Sequence, residues 1–256
     1  MLPFFADIIA PLLSALQSPA VVEIGSEHGK LTRKLCELVA PWEGRVHAID
    51  PAPLFDADVW TKDLAPTLAV HRAKSLDALP AVDGFDVVLV DGDHNWFTVL
   101  SELRLVERLA RERGAAHPLV LLHDVAWPYG RRDLYYEPES IPEQHRQSWA
   151  RRGISPVSSE LLPRGGLNAH LANATHEGGP RNGVLTAVED YLKETQVEQT
   201  LTIVPAAFGL AILLPATLAA EKPAALELVR PWMSTAVQGF LEKMETARIA
   251  MLTQAG

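Results

Sequence analysis

Five short apolar runs recur through the first half of the chain: AVVEI (Ala20–Ile24), RVHAI (Arg45–Ile49), LAVH (Leu68–His71), DVVLV (86–90) and PLVLL (118–122). Longer stretches of helical period lie between them, as in KLTRKLCELVA from Lys30 and FTVLSELRLVERLARER from Phe97. In the second of these, Val99, Leu103, Val106 and Leu109 recur close to one face. No other feature narrows the fold as far. Short unbroken apolar runs read as strands buried on both faces, and strand–helix–strand succession demands parallel pairing with crossover helices.

Residues 201–220, LTIVPAAFGLAILLPATLAA, are long enough to cross a membrane. Pro205, Gly209 and Pro215 interrupt them, so LTIVP and FGLAILLP read instead as two buried strands joined by a tight turn. The expectation is a doubly wound Rossmann-like α/β fold. Its sheet has seven strands, mostly parallel with an antiparallel last strand, in a single domain over residues 1–256. Residues 124–183, before the helical pattern GVLTAVEDYLKE, are rich in Pro, Gly and Arg. Insertions this long are lids or disordered segments, and Trp127, Tyr129, Tyr135, Tyr136 and Trp149 argue for an ordered but irregular lid over the substrate. MLPFFADIIAPLLSALQ lacks a basic leader and is broken by Asp7, so it reads as an amphipathic helix rather than a signal peptide. A final helix over residues 219–252 is expected to bend or break at Pro223 and Pro231.

The net charge of −9 argues against general binding to nucleic acid or anionic membranes. A single cysteine, Cys36, excludes an internal disulfide and a multi-cysteine zinc site. A reducing cytoplasmic setting fits that usage.

The first strand runs into VVEIGSEHGKLT, a glycine turn opening a helix. Glycines there allow a tight turn and close backbone approach by a ligand. The nicotinamide fingerprint is incomplete, since position 27 is Glu and the third glycine is missing. Glu27 suits an ammonium or sulfonium group better than a pyrophosphate. EIGSEHG resembles the first motif, E-x-G-x-x-x-G, of class I S-adenosylmethionine-dependent methyltransferases. The resemblance implies that Glu23, Gly25, Ser26, Glu27 and Gly29 surround the methionine half of that cofactor. It also implies that Asp50, ending the second strand in VHAIDPAP, accepts the ribose hydroxyls, and that Ser75 in AKSLDALP meets the adenine.

Beyond the fourth strand, VLVDGDHNWF crowds Asp91, Asp93 and His94 together, and LLHD ends the fifth strand with His123 and Asp124. Adjacent strands lie about 4.8 Å apart, so Asp91 and Asp124 can converge at the carboxyl edge. Converging carboxylates require a cation, a shared proton or an arginine. DGDHNW followed by LLHD resembles the metal-dependent sugar O-methyltransferases of macrolide biosynthesis. It is similar also to the wider group holding cephalosporin-hydroxylase-like proteins and bacterial polysaccharide methyltransferases. That resemblance covers the first half of the chain. It implies a divalent metal, Mg²⁺ or Mn²⁺, on Asp91, His123 and Asp124, with Asp91 also beside the cofactor and His94 as general base. A histidine, His123, stands where the group carries an acid. Asp93 either ligates too or orients His94.

In the insertion, aromatics suited to sugar faces and arginines suited to anions make Tyr129, Arg131, Arg132, Tyr135 and Tyr136 candidate substrate or lid contacts. His176, Glu177 and Asn182 precede the next helix and join them, with helix capping as the other reading of Asn182. The expected activity is metal-assisted O-methylation of a sugar hydroxyl, on a glycan or a glycosylated natural product. The apolar first helix and the lid make a homodimer an expected assembly. The alternatives are a cephalosporin-hydroxylase-like oxygenase on the same fold and a non-catalytic cofactor-binding partner protein.

Overall fold

The computed structural model describes residues 1–17 and 20–254, with Gln254 described by its backbone alone. After helix α1 (Ala10–Leu16) the chain alternates β1 (Ala20–Ile24), α2 (Lys30–Val39), β2 (Arg45–Ile49), α3 (Ala57–Asp63), β3 (Leu68–His71), α4 (Ser75–Ala78), β4 (Val87–Val90), α5 (Trp96–Glu112) and β5 (Leu119–His123). The insertion supplies β6 (Leu134–Tyr135), β7 (Trp149–Arg151) and β8 (Ala172–Ala174). Then come α6 (Val184–Glu194), β9 (Gln199–Val204), β10 (Leu210–Pro215), α7 (Ala216–Glu221), α8 (Pro223–Val229) and α9 (Thr235–Gln254).

The main sheet has seven strands in the order β3-β2-β1-β4-β5-β10-β9. β1 to β5 pair in parallel, whereas β10 runs antiparallel to both β5 and β9. The boundary between β1 and β4 is therefore where strand order reverses, and the crevice at their carboxyl ends is the usual ligand site of such sheets. Alternate residues divide between two cores. Val21, Leu89, Leu121 and Ile212 pack with Ile9, Leu13, Leu35 and Val229 on one face. Val22, Val88, Val120 and Ala211 pack with Leu103, Val106, Val188 and Tyr191 on the other. Each such buried aliphatic side chain stabilises by roughly 1.5–3 kcal/mol relative to exposure. The first helix spends its apolar face inside this core, since Ile8, Ile9, Leu12 and Leu13 are all buried.

Residues 201–220 form the β9–β10 hairpin and the start of α7. Among the described residues no helix is long and apolar enough to cross a membrane. The C-terminal helical pattern is interrupted at both prolines, with α8 starting at Pro223 and a 3₁₀ turn over Arg230–Met233 ahead of α9. The insertion is more regular than its composition predicts. It forms an antiparallel sheet of order β6-β8-β7 with a small core of Tyr129, Leu134, Ile154 and Leu161. Its strands are only two or three residues long, too short to show an alternating pattern.

Candidate active site

The glycine turn follows β1. Gly25 has φ +86°, and a Cβ there would overlap the carbonyl of Asp91. Its small size lets the ends of β1 and β4 meet. Gly29 has φ +69° and packs under Trp60, whose ring carbon would lie 2.7 Å from an added Cβ. Asp50, from the end of β2, binds this turn: Oδ2 accepts the amides of Ser26 (3.0 Å) and Glu27 (2.8 Å), and Oδ1 accepts that of Ala52 (2.9 Å). Oδ1 thus keeps acceptor capacity for a further hydroxyl. Glu23 is buried, receives the Thr32 hydroxyl, and is pushed up to about 8, chiefly by burial. It supports the turn from beneath rather than lining its surface. Ser75, at the start of α4, is likewise buried and donates inward to Glu102 on α5.

Where β4 and β5 end, two acids and two histidines meet. His123 Nδ1 lies 3.0 Å from Asp91 Oδ1 and 2.9 Å from Asp124 Oδ2. His94 Nε2 lies 2.8 Å from Asp124 Oδ2 and 3.9 Å from Asp91 Oδ1. Asp91, His123 and Asp124 each offer a ligand atom within 4.8 Å of the others. Asp124 takes φ +60°, uncommon for a residue other than glycine. The Met1 ammonium donates to Asp91 Oδ2 at 2.6 Å, and the Phe4 ring stands edge-on to His123 at 5.9 Å. Burial pushes both carboxyls up, but the surrounding imidazoles outweigh it and hold Asp91 and Asp124 well below the usual carboxylate range. Burial alone would lower the imidazoles. The two carboxylates reverse this, raising His123 to about 9 and His94 well above its ordinary value. The acid pair therefore holds positive charge tightly.

Asp93 faces away from this point. Its Oδ2 accepts the Thr98 hydroxyl at 3.1 Å, while Asn95 caps α5 by accepting the Thr98 amide at 2.9 Å.

Of the insertion residues, Tyr136 and Tyr129 reach the cluster. The Tyr136 hydroxyl is 3.3 Å from His94 Nδ1, and the Tyr129 ring centroid is 5.7 Å from that of His94. Most of the other candidates make their contacts within the protein, away from the cluster. Arg131 turns to α6 and binds Glu189 through two 2.6 Å bonds. Arg132 is fully buried and donates to the carbonyls of Ala174 and Ser159, with Glu177 3.8 Å away. Tyr135 is buried on Asp133 at 2.7 Å. His176 is exposed, with only its backbone bridged to that of Glu160 within the insertion. Asn182 does not cap α6: it accepts the Asp133 amide at 2.7 Å and donates to the carbonyls of His176 and Gly178. Sequence reasoning missed Phe4 and also Ala207, whose carbonyl lies 2.8 Å from His123 Nε2. A surface groove of about 630 Å³ between α5 and α6, lined by Arg104, Arg108 and Glu194, shares no residue with the cluster.

Residues 22–125 match a family described as a methyltransferase domain. No curated protein sequence matches the chain. Solved structures that resemble it include the S-adenosylhomocysteine-bound methyltransferase PaMTH1 of Podospora anserina, at 14% identity and a TM-score of 0.49, covering 80% of this chain and 76% of that one. Another is the 1,6-didemethyltoxoflavin-N1-methyltransferase of Burkholderia thailandensis, at 16% identity and a TM-score of 0.45, covering 81% and 76%. A third is the O-methyltransferase TomG of Streptomyces achromogenes, at 16% identity and a TM-score of 0.41, covering 81% and 78%. The matched stretch contains the glycine turn, Asp50, both strand ends and all four residues of the cluster. The match to a methyltransferase domain thus covers residues 22–125, the stretch that carries the parallel strands of the seven-stranded sheet described above.

Proposed function

We propose that the protein is an O-methyltransferase assisted by a divalent cation, Mg²⁺ or Mn²⁺, and acting on a sugar hydroxyl of a glycan or a glycosylated natural product. The observation that carries this reading is the convergence of Asp91, His123 and Asp124 at the edge of β4 and β5, beside the glycine turn. Two carboxylates with one imidazole suit Mg²⁺ or, better, Mn²⁺. When bound, such a cation lowers the pKa of an oxygen it touches.

The chain's own residues supply the remaining chemistry. Gly25, Ser26, Glu27 and Gly29 form the turn for the methionine half of the methyl donor, and Asp50 Oδ1 retains an acceptor position for a ribose hydroxyl. His94 would take the acceptor's proton once a cation on Asp91 and Asp124 offsets the negative charge that raises its pKa, and Asp124, 2.8 Å from Nε2, orients the ring. Tyr136, half exposed above His94, offers an aromatic face to a sugar ring.

Calorimetry with S-adenosylmethionine, followed by methyl-transfer assays on sugar acceptors with Mg²⁺ or with EDTA, tests this reading. Failure to bind the cofactor would sink the methyltransferase assignment. Full turnover in EDTA would remove the metal alone. The two imidazoles in the cluster favour one second reading, a cephalosporin-hydroxylase-like oxygenase, because paired histidines with a carboxylate also suit Fe(II). Oxygen uptake on adding Fe(II) without a methyl donor would support that alternative.

A further inference from the structure

His123 is held at both ring nitrogens. Nδ1 faces Asp91 and Asp124, whereas Nε2 lies 2.8 Å from the carbonyl of Ala207 in the β9–β10 turn. A carbonyl only accepts, so Nε2 carries the hydrogen, and in the neutral ring Nδ1 is left with the lone pair. The partner of one imidazole nitrogen thereby decides which nitrogen is free to ligate.

The Ala207 carbonyl faces His123 because of an unusual backbone. Ala207, Phe208 and Gly209 have φ of +45°, +71° and +91° in succession, and only the last is glycine. A left-handed conformation is unfavourable for a residue other than glycine. A single side chain of α9 compensates. Glu245 is buried beneath the turn, accepting the Ala207 amide on Oε2 at 3.0 Å and the Phe208 amide on Oε1 at 2.8 Å. Arg248, one helical turn further on, donates to the same two oxygens at 2.8 and 2.6 Å and lies 4.3 Å from the Phe208 ring centroid. The Phe208 carbonyl in turn accepts the Ala126 amide at 2.8 Å, just beyond Asp124. With both amides directed down to Glu245, the intervening carbonyl is directed up to His123.

We infer that Glu245 is a positioning residue for the metal centre: through the left-handed Ala207–Phe208 pair it fixes the His123 ring so that Nδ1 is the ligating atom. This rests on the metal reading proposed above. It assigns a role to a residue of the last helix that itself touches neither metal nor substrate.

The experiment measures Kd for Mn²⁺ and, separately, for S-adenosylhomocysteine on the full chain, comparing wild type, Glu245→Gln and Arg248→Met. The two amides fall on different oxygens, and a glutamine replaces one of these with a donor NH₂ group, so Glu245→Gln is expected to weaken Mn²⁺ binding about tenfold or more. Its S-adenosylhomocysteine Kd should stay within about twofold. Arg248→Met breaks the same ion pair but leaves both amides on the carboxylate, and its Mn²⁺ affinity should stay close to wild type. Equal Mn²⁺ affinity in Glu245→Gln and wild type would overturn the inference while leaving the metal reading intact. So would an equal loss in both variants, or joint loss of metal and S-adenosylhomocysteine binding in Glu245→Gln, since either marks a residue needed only for folding. A wild-type protein that binds no Mn²⁺ overturns the metal reading and this inference with it.

Discussion

At the residue scale, neighbours in sequence have separate tasks. Asp91 and His94 join the cluster at the ends of β4 and β5, while Asp93 between them braces the start of α5 through Thr98. His94→Ala should fold and bind S-adenosylhomocysteine normally but lose methyl transfer on the order of 100-fold or more, as expected for a general base. Steady-state kinetics beside a binding isotherm checks this. Glu102 allows a sharper test. Burial holds its carboxyl at about 8, against 4.5 for the ordinary group. The folded state therefore keeps a proton that the unfolded state has lost across that window, and stability must fall as pH rises from about 4.5 to 8. Glu23 acts in the same sense. Glu102→Gln removes one of these contributions. Its melting temperature should vary less between pH 5 and pH 9 than that of wild type, by about the same order. At the alkaline end it should be the more stable protein, by about 1–3 kcal/mol. Melting curves across that range decide it. The chemistry-bearing residue types at the strand ends were legible in the sequence. The direction each side chain takes was not, because one φ of +60° at Asp124 turns its carboxylate toward His94 and His123.

At the element scale, what could be read was what repeats. The parallel strands declared themselves through apolar runs, and α5 through its period. The insertion did not, since its sheet is made of very short strands and its order comes from buried polar groups. Asp133 is the clearest of these. Its Oδ1 accepts the amide of Trp96 at 2.8 Å and that of Gly183 at 2.6 Å, the starts of α5 and α6. Its Oδ2 accepts the Tyr135 hydroxyl. One carboxyl thus serves the N-terminal ends of two helices, where negative charge is favoured. Asp133→Ala leaves three buried donors unpaired and should cost about 3 kcal/mol or more. Asp133→Asn keeps one oxygen for the two amides and should cost much less. Chemical denaturation of both variants tests the contrast. Arg131 and Arg132 show the limit of reading an arginine from sequence. One pairs with an acid of the next helix and the other ties strands together, and nothing in GRRD distinguishes these roles from anion binding.

At the scale of the whole molecule, the site is a junction. The cluster is carried by β4 and β5, Tyr136 comes from the insertion, Phe4 from the first turn, and Ala207 from the β9–β10 turn. A ligand that joins several elements should stabilise all of them. Mn²⁺ at a hundred times its Kd should add about 2.7 kcal/mol, raising the melting temperature by several degrees. In Asp124→Asn that shift should shrink to a small fraction. Thermal melting with and without Mn²⁺ measures both. The half of the chain that carries the cluster was readable as a candidate site. The C-terminal half, which orients His123, left no mark in the sequence, because its contribution is a backbone carbonyl held by a helix distant along the chain.

The position of β10 gives the molecule a timetable. It lies between β5 and β9 and follows both in the sequence, so the sheet cannot close until β10 has been made. A polypeptide emerging from the ribosome carries Asp91, His94, His123 and Asp124 well before the segment that orients His123 has been made. If the cluster binds a cation as proposed, that competence is acquired late in folding, together with the slow, long-range pairing that completes the sheet.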